Sequence, residues 1–465
     1  MFSKRTKIVA TIGPATESRD AVDALLRHGM NVARLNMSHG NHEEHAARVR
    51  TIREAAKVRG VPAPILFDLS GPKIRTGEYT TERITIEEGQ ELILTTVPHV
   101  GDSTKIYINY ERLAREVQPG SIIMLDDGKK KLEVVAVERD DIRTKVIVGG
   151  ELKPRRGVNV PGAYLSIDTI TDKDREDLKF GVAQGADYFA LSFVRRASDV
   201  DELRSLLQKE GAHTPIISKI ETLESIENLD AILAASDGVM VARGDLAIEV
   251  PTEMVPMYQK QIIKKANELG KPVIIATQML ESMIHSPVPT RAEVSDIANA
   301  VYDGADAVML SEESALGSYA VEAVEMMCRV ARTIEHSVLR TKAIPDSVPD
   351  SIAESVYHVA HDVGAKAIVA LTESGVTAQR VARFKPDCPI IAVTPHDDVV
   401  EKLMLVRGVY PYKVEGISDF TKAVAGIPAF VKEKGIAELG DTVAVTAGLK
   451  FGSSGSTNML LVLTV

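Results

Sequence analysis

Apolar residues run along this chain in short dense bursts, separated by longer stretches of mixed character. Eight bursts are spread over the first 335 residues: KIVATIG (7–13), MNVARLNMS (30–38), APILFDLS (63–70), ADYFALSFV (186–194), TPIISKIE (214–221), DGVMVARGD (237–245), KPVIIATQM (271–279) and ADAVMLSEE (305–313). Each is short, largely apolar and predicted to be a buried strand. Amphipathic stretches with helix start or stop signals lie between most of them. One helix is predicted from Ser198-Asp199 to Gly211, another from about Val255 to Gly270, and a third from Arg291 to Gly304. Eight strand–helix units predict a parallel (β/α)₈ TIM barrel, with a doubly wound sheet as the alternative.

The spacing of the polar strand ends shows one interruption. They fall at Arg34, Asp68, Ser192, Lys219, Asp245, Thr277 and Ser311, with gaps of 34, 124, 27, 26, 32 and 34 residues. The long gap exceeds the others by about 90 residues, the size of a small inserted domain. Within it, ERITIEEGQELILTT, KIYINY, IIMLDDGKKKLEVVAVE and IRTKVIVGG alternate apolar and polar positions around Gly and Asp-Asp-Gly turns. That pattern predicts a small all-β domain over 73–160, hinged at Gly71-Pro72 and Pro161-Gly162. A Pro-punctuated linker, TKAIPDSVPDS (341–351), follows the barrel segments 1–72 and 161–338. Strand–helix alternation then resumes with strands at 366–372, 389–395, 409–414, 441–448 and 459–465, predicting a separate open α/β domain over 345–465.

Composition narrows the function. The 465 residues are 45% hydrophobic and 26% charged, with 55 Lys and Arg against 65 Asp and Glu, a net charge of −10. An acidic globular chain argues against a nucleic-acid binder, while leaving room for a local cationic pocket. No run reaches the ~18 apolar residues of a membrane span, and the opening Ile8–Ile12 run reads as a strand rather than an export signal. Two cysteines, Cys328 and Cys388, are too few for a disulfide framework, and the expected location is the cytoplasm.

These strands are apolar in their middles, yet they end in Arg34, Asn36, Ser38, Asp68, Lys219, Glu221, Arg243, Asp245, Thr277, Ser311 and Glu313. In a (β/α)₈ barrel such ends share one rim, where active sites are built. Glu221 and Asp245 end neighbouring strands and can share one hard cation, Mg²⁺ (or Mn²⁺), completed by water and substrate oxygens. Lys219 lies two residues before Glu221, on the same strand face, suited to a phosphoryl group or an oxyanion. The HxxH pairs His42/His45 and His358/His361 read as surface or capping histidines. GxxxxGK[ST] is absent, and no GxGxxG opens the first unit, so a nucleotide would be held by Mg²⁺ and by side chains such as Arg34, Arg75 and Arg156.

The segments GPATESRDAVDALLRHGMNVARLNMSHG, DLSGPKIRTG, RRGVNVPG, ISKIE, DGVMVARGDLAIEVP, ATQMLESMIHSPVPTRAEVSDIANAV and DAVMLSEESALG resemble, in order and over nearly the whole chain, the signatures of the pyruvate kinase family. The resemblance implies phosphoryl transfer from phosphoenolpyruvate to ADP, giving pyruvate and ATP. By similarity, Glu221 and Asp245 match the metal carboxylates, and Arg34 and Lys219 hold the transferring group. The Gly244-Asp245 backbone meets the substrate carboxylate. Thr277 sits beside the enolate methylene, with Ser311 and Glu313 behind it on the proton route. Asn36, Ser38, His39, Arg75 and Arg156 correspond to the nucleotide side, and the inserted domain to a lid that closes and excludes water. The family is usually a homotetramer.

Two departures stand out. Many members read Asp-Thr-Lys-Gly-Pro-Glu where this chain has Asp68-Leu69-Ser70-Gly71-Pro72-Lys73. Members with the Glu need a monovalent cation near residues matching Asn36, Ser38, Asp68 and Leu69. Lys73 can supply that charge internally, so independence of K⁺ is expected. Ser311-Glu312-Glu313-Ser314 stands where Gly and Thr are frequent at 312 and 314, and nothing in the sequence explains Glu312. In the C-terminal domain, Thr372, Ser374, Gly375 and Thr377 match the loop where members bind an activating sugar phosphate, helped by a Gly-rich loop like Phe451–Thr457. Glu373 replaces a Lys found in some, which favours a sugar monophosphate or AMP over a bisphosphate. A Mg²⁺-dependent lyase or aldolase acting on 2-oxo acids is the competing enzyme class, and a non-catalytic metabolite sensor the competing non-enzyme.

Overall fold

A computed structural model describes residues 4–339, 345, 347–415, 420–448 and 457–465. The eight apolar bursts form the strands Lys7–Thr11, Val32–Asn36, Ile65–Asp68, Tyr188–Leu191, Ile216–Ile220, Gly238–Ala242, Val273–Ala276 and Ala307–Leu310. They close into one parallel barrel in sequence order, the first pairing the last through Lys7↔Ala307 to Ala10↔Leu310. The predicted helices between them span Ala197–Lys209, Val255–Glu268 and Arg291–Tyr302. Their ends follow local chemistry: Thr290 caps the third in a box with Glu293, and Asn41 accepts from Glu44 N to start His42–Arg59. Helix faces pack outside the strands around Phe67, Phe189, Leu25, Ile52 and Ile262, all buried.

Between the third and fourth barrel strands the chain leaves to build a six-stranded sheet with its own core, including Ile86, Leu92, Leu94, Ile123, Leu132 and Ile142. After the barrel, a five-stranded sheet runs in the order Val409–Lys413, Ile390–Thr394, Ala367–Leu371, Thr442–Ala447, Met459–Thr464. The first four are parallel and the last is antiparallel.

This C-terminal domain sits against the face where the barrel strands begin. Leu405 is buried in a cluster with Val9, Val32, Leu66, Tyr188, Ile217, Met240 and Ile274, closing the floor of the barrel. Around it, Lys7 Nζ donates to Val409 O at 2.6 Å and Tyr188 Oη to Lys402 O at 2.6 Å. Lys385 Nζ pairs with Asp306 at 3.1 Å. Together these contacts leave the strand C-termini, on the opposite face, free for chemistry.

Candidate active site

At that rim two contacting groups of side chains form. The first is a buried charge cluster. Arg34 Nε donates to Asp68 Oδ2 at 2.7 Å across neighbouring strands, and its Nη1 to Thr11 Oγ1 at 2.9 Å. Lys219 Nζ lies 3.3 Å from Asp68 Oδ1 and 3.0 Å from Glu221 Oε1, and donates to Ser192 Oγ at 2.7 Å. Ser192 Oγ in turn donates to Leu69 O, and Glu221 Oε2 accepts from Phe193 N, both at 2.7 Å.

Burial and charge act against each other here. Burial would raise the Asp68 carboxyl, but Lys219 and Arg34 hold it below the usual range. Burial would lower the Lys219 ammonium, but Asp68 and Glu221 raise it above its ordinary value. Glu221 goes the other way: burial pushes its carboxyl up to about 7, with Lys219 opposing and Asp245 adding to the rise. Glu221 Oε1 and Asp68 Oδ1 are buried and, among the described residues, meet only the single Lys219 ammonium, without a well-formed hydrogen bond. Such under-compensated carboxylate oxygen suits a hard cation, and Glu221 with Asp245 fits Mg²⁺, which keeps most of its ligands from water and substrate.

The second group surrounds Thr277. Its Oγ1 accepts from Gly244 N at 2.9 Å and donates to Ala276 O at 2.7 Å. Behind it, buried Glu313 receives Leu280 N at 3.1 Å on one oxygen and Ser311 N at 2.7 Å on the other, so its carboxylate ties two rim loops together. The sequence placed Arg243 and Asp245 at a strand end. Instead the strand stops at Ala242, and both residues lie in the first turn of a seven-residue helix, Arg243–Glu249. Similarly, Ser311 stands just before the short helix Glu312–Ala315, which contains Glu313. In both places the chain turns into helix as soon as it leaves the ladder, before a loop can form.

The inserted domain reaches over this rim. Its hairpin tip carries Asp126 and Asp127 at φ +54° and +55°, and a Cβ on the next residue, Gly128, would come within 3.8 Å of Ile248 on the helix Arg243–Glu249. At its base Arg75 Nη1 donates to Arg155 O at 3.1 Å, and Arg156 Nε lies 3.6 Å from Asp126. Asn36 Oδ1 accepts from Ser38 N at 3.1 Å, and Ser38 and His39 are exposed just beyond their strand. Lys73 is exposed, makes no ion pair among the described residues, and lines a cleft with Asp127, Asp245 and Glu249. Asp68 is already engaged by Arg34 and Lys219.

Comparison with known proteins matches the chain to a family. A model of the pyruvate kinase barrel domain matches residues 3–324, and one of the pyruvate kinase alpha/beta domain matches residues 350–463. The chain belongs to the pyruvate kinase family. It is 48% identical to a pyruvate kinase of Geobacillus stearothermophilus and 47% to one of Bacillus licheniformis, over 99% of this chain and 80% of each relative. A crystal structure of a pyruvate kinase from Cryptosporidium parvum superposes with a TM-score of 0.93 at 38% identity, covering 99% of this chain and 96% of that one. A pyruvate kinase is a phosphotransferase, and the family uses Mg²⁺; the lyase reading finds no support in these relatives.

Within the pyruvate kinase frame, the structure gives contacts to two residues the sequence marked only as strand ends, Ser192 and Arg243, and to Phe193, which it did not single out. Ser192 anchors Lys219, and Phe193, at φ +54°, donates its amide to Glu221. Arg243 grips the Thr277 carbonyl. Their signal was present, since all three sit at or just past strand ends. The HxxH pairs stand apart from the site's chemistry. His42 pairs with Asp177 at 2.8 Å and stacks on Phe180, while buried His45 bonds His39 O at 2.8 Å. Thr372, Ser374, Gly375 and Thr377 lie in the C-terminal domain, beneath the opposite barrel face. There Thr372 Oγ1 accepts from Gly375 N at 2.9 Å, and the Thr377 and Thr457 hydroxyls meet at 2.8 Å. Residues 451–456 of the Gly-rich loop fall outside the described residues. No helix among the described residues is long and apolar enough to cross a membrane.

Proposed function

We propose that this pyruvate kinase moves the phosphoryl group of phosphoenolpyruvate to ADP with the residues named above, and that it needs no K⁺. The observation that carries the reading is the buried Arg34–Asp68–Lys219–Glu221 cluster, in which one ammonium serves an oxygen of each of two carboxylates. Arg34 and Lys219 bind the transferring phosphoryl group, and Lys219 also faces the bridging oxygen. Glu221 and Asp245 hold Mg²⁺, which supplies Lewis-acid charge to the substrate oxygens when bound. Gly244 and Asp245 orient the substrate carboxylate by backbone contact. The bond from phosphorus to the enol oxygen breaks as a terminal ADP oxygen bonds to phosphorus, leaving an enolate that accepts one proton at its methylene carbon. Thr277 stands on that proton's route, with Ser311 and Glu313 holding the loops behind it.

Positioning and charge cancellation suffice for this chemistry, which involves no covalent enzyme adduct. Asn36, Ser38, His39, Arg75 and Arg156 hold the nucleotide, and the lid, residues 73–160, closes between the barrel segments 1–72 and 161–338 to exclude water. Lys73 takes the place of the monovalent cation in the region of Asn36, Ser38, Asp68 and Leu69. Its exposure, with no ion pair among the described residues, leaves it able to swing there as the lid moves. The chain works as a cytoplasmic homotetramer. A sugar monophosphate or AMP binds at Thr372, Ser374, Gly375 and Thr377 in the domain over 345–465.

The test is pyruvate formation from phosphoenolpyruvate, ADP and Mg²⁺ in tetramethylammonium buffer, with and without K⁺, for the wild type and Lys73→Glu. Full wild-type activity without K⁺, with Lys73→Glu becoming K⁺-dependent, is expected. Strong K⁺ activation of the wild type would refute the role of Lys73 while leaving the reaction intact. Absence of activity in both buffers would refute the reaction.

A further inference from the structure

Arg243 opens the helix Arg243–Glu249, yet its side chain turns back to the neighbouring strand. Its Nη2 donates to Thr277 O at 2.6 Å and its Nε to Ala276 O at 3.2 Å. Its Nη1 donates to both oxygens of Asp296, at 2.7 and 2.6 Å, so one planar fork joins two consecutive carbonyls to a carboxylate. Those carbonyls flank an unusual turn. Thr277 and Gln278 adopt φ +70° and +55°, and the left-handed region is costly for any residue with a Cβ and most of all for a β-branched one. Two such residues in succession persist where their surroundings over-determine them. The turn decides where the Thr277 hydroxyl sits, between Gly244 N and Ala276 O, the latter a carbonyl that Arg243 also holds.

We propose that Arg243 is a positioning residue for the proton-transfer half of the reaction, acting by holding the Thr277–Gln278 backbone in its left-handed turn. This rests on the reading of Thr277 as the group beside the enolate methylene. Asp296 fixes the guanidinium plane. A lysine cannot replace the fork, because one ammonium cannot span two carbonyls and a carboxylate at these directions. The competing account is that Arg243 merely ties the helix Arg291–Tyr302 to the rim as structure.

A kinetic cycle separates the two. Thr277→Ala, Arg243→Lys and the double variant are assayed for kcat, for KM of phosphoenolpyruvate, and for exchange of the pyruvate methyl protons with D₂O under Mg²⁺ and ATP. Thr277→Ala should lower kcat by about a hundredfold or more, the scale of a lost proton-transfer group. Arg243→Lys should lower kcat and exchange together by roughly ten- to a hundredfold, with KM within about threefold. The double variant should be no slower than Thr277→Ala alone, since both changes remove one function. Losses that multiply fully, or an Arg243→Lys enzyme with wild-type exchange, overturn the proposal while the reading of Thr277 stands. A fully active Thr277→Ala enzyme overturns both. Should Arg243→Lys fail to fold, Asp296→Asn keeps the arginine and should cost about three- to tenfold in exchange; no loss there overturns the proposal.

Discussion

Replacing Lys7 by methionine tests how the barrel floor is joined to the C-terminal domain. Lys7 begins the first barrel strand, is 1% exposed, and donates to Val409 O at 2.6 Å beneath the Tyr410 ring. Burial brings its ammonium down to about 7, helped by Lys4 and opposed by Asp306 and Glu335. In the unfolded chain the same amine titrates near 10.5. Between those values the native protein holds one proton fewer than the unfolded chain, so this group's contribution to stability rises with pH. It is lowest below pH 7 and fully recovered only above pH 10.5. The slope for one proton is about 1.4 kcal/mol per pH unit, and the whole span comes to roughly 4–5 kcal/mol. Methionine keeps most of the volume and has nothing to titrate. Urea unfolding of both proteins at pH 6.5, 7.5, 8.5 and 9.5, followed by circular dichroism and by release of the C-terminal domain, isolates the term as a difference. Wild-type stability relative to Lys7→Met should climb by about 1 kcal/mol or more per unit from pH 7.5 to 9.5. A difference that stays flat across that range would show that Lys7 keeps its proton when buried, and the reasoning would fail.

Two further changes probe the same floor and the rim. Leu405→Ala empties a buried site in a cluster with eleven barrel residues and should cost about 2–4 kcal/mol, seen as earlier proteolytic release of the C-terminal domain with the barrel still folded. Ser192→Ala removes the hydroxyl that receives Lys219 Nζ at 2.7 Å. It should lower kcat about tenfold with a melting shift of a few degrees at most, measured by coupled assay and calorimetry.

The barrel was legible in the sequence because its signal is strong and local: eight apolar runs such as PILFD and GVMVA, each too short for a helix. The inserted domain showed itself by the break in strand-end spacing between Asp68 and Ser192. Arg34, Lys219 and Glu221 were legible too, as charges ending apolar strands. The strand ends themselves were not. Whether Arg243 and Asp245 finish a ladder or start a helix is tied to contacts with the Thr277 loop one strand away, such as Gly244 N to Thr277 Oγ1. Arg243's fork onto residues 276, 277 and 296, like the seat of Leu405 under the floor, joins segments 33 to nearly 400 residues apart, and no local pattern announces such partners.

The pairing of Lys7 with Ala307 sets an order of events on the ribosome. The seam of the barrel joins residues about 300 apart, so its first strand waits as an open edge until the last one has been made. The strands of the inserted domain span only residues 84–159 and share their own core, so that domain can form while the barrel is still unfinished. At synthesis rates of about 5–20 residues per second, the interval between the two is roughly 8–30 s. Throughout it, the exposed β edges of the half-made barrel are what a nascent-chain chaperone would have to shield.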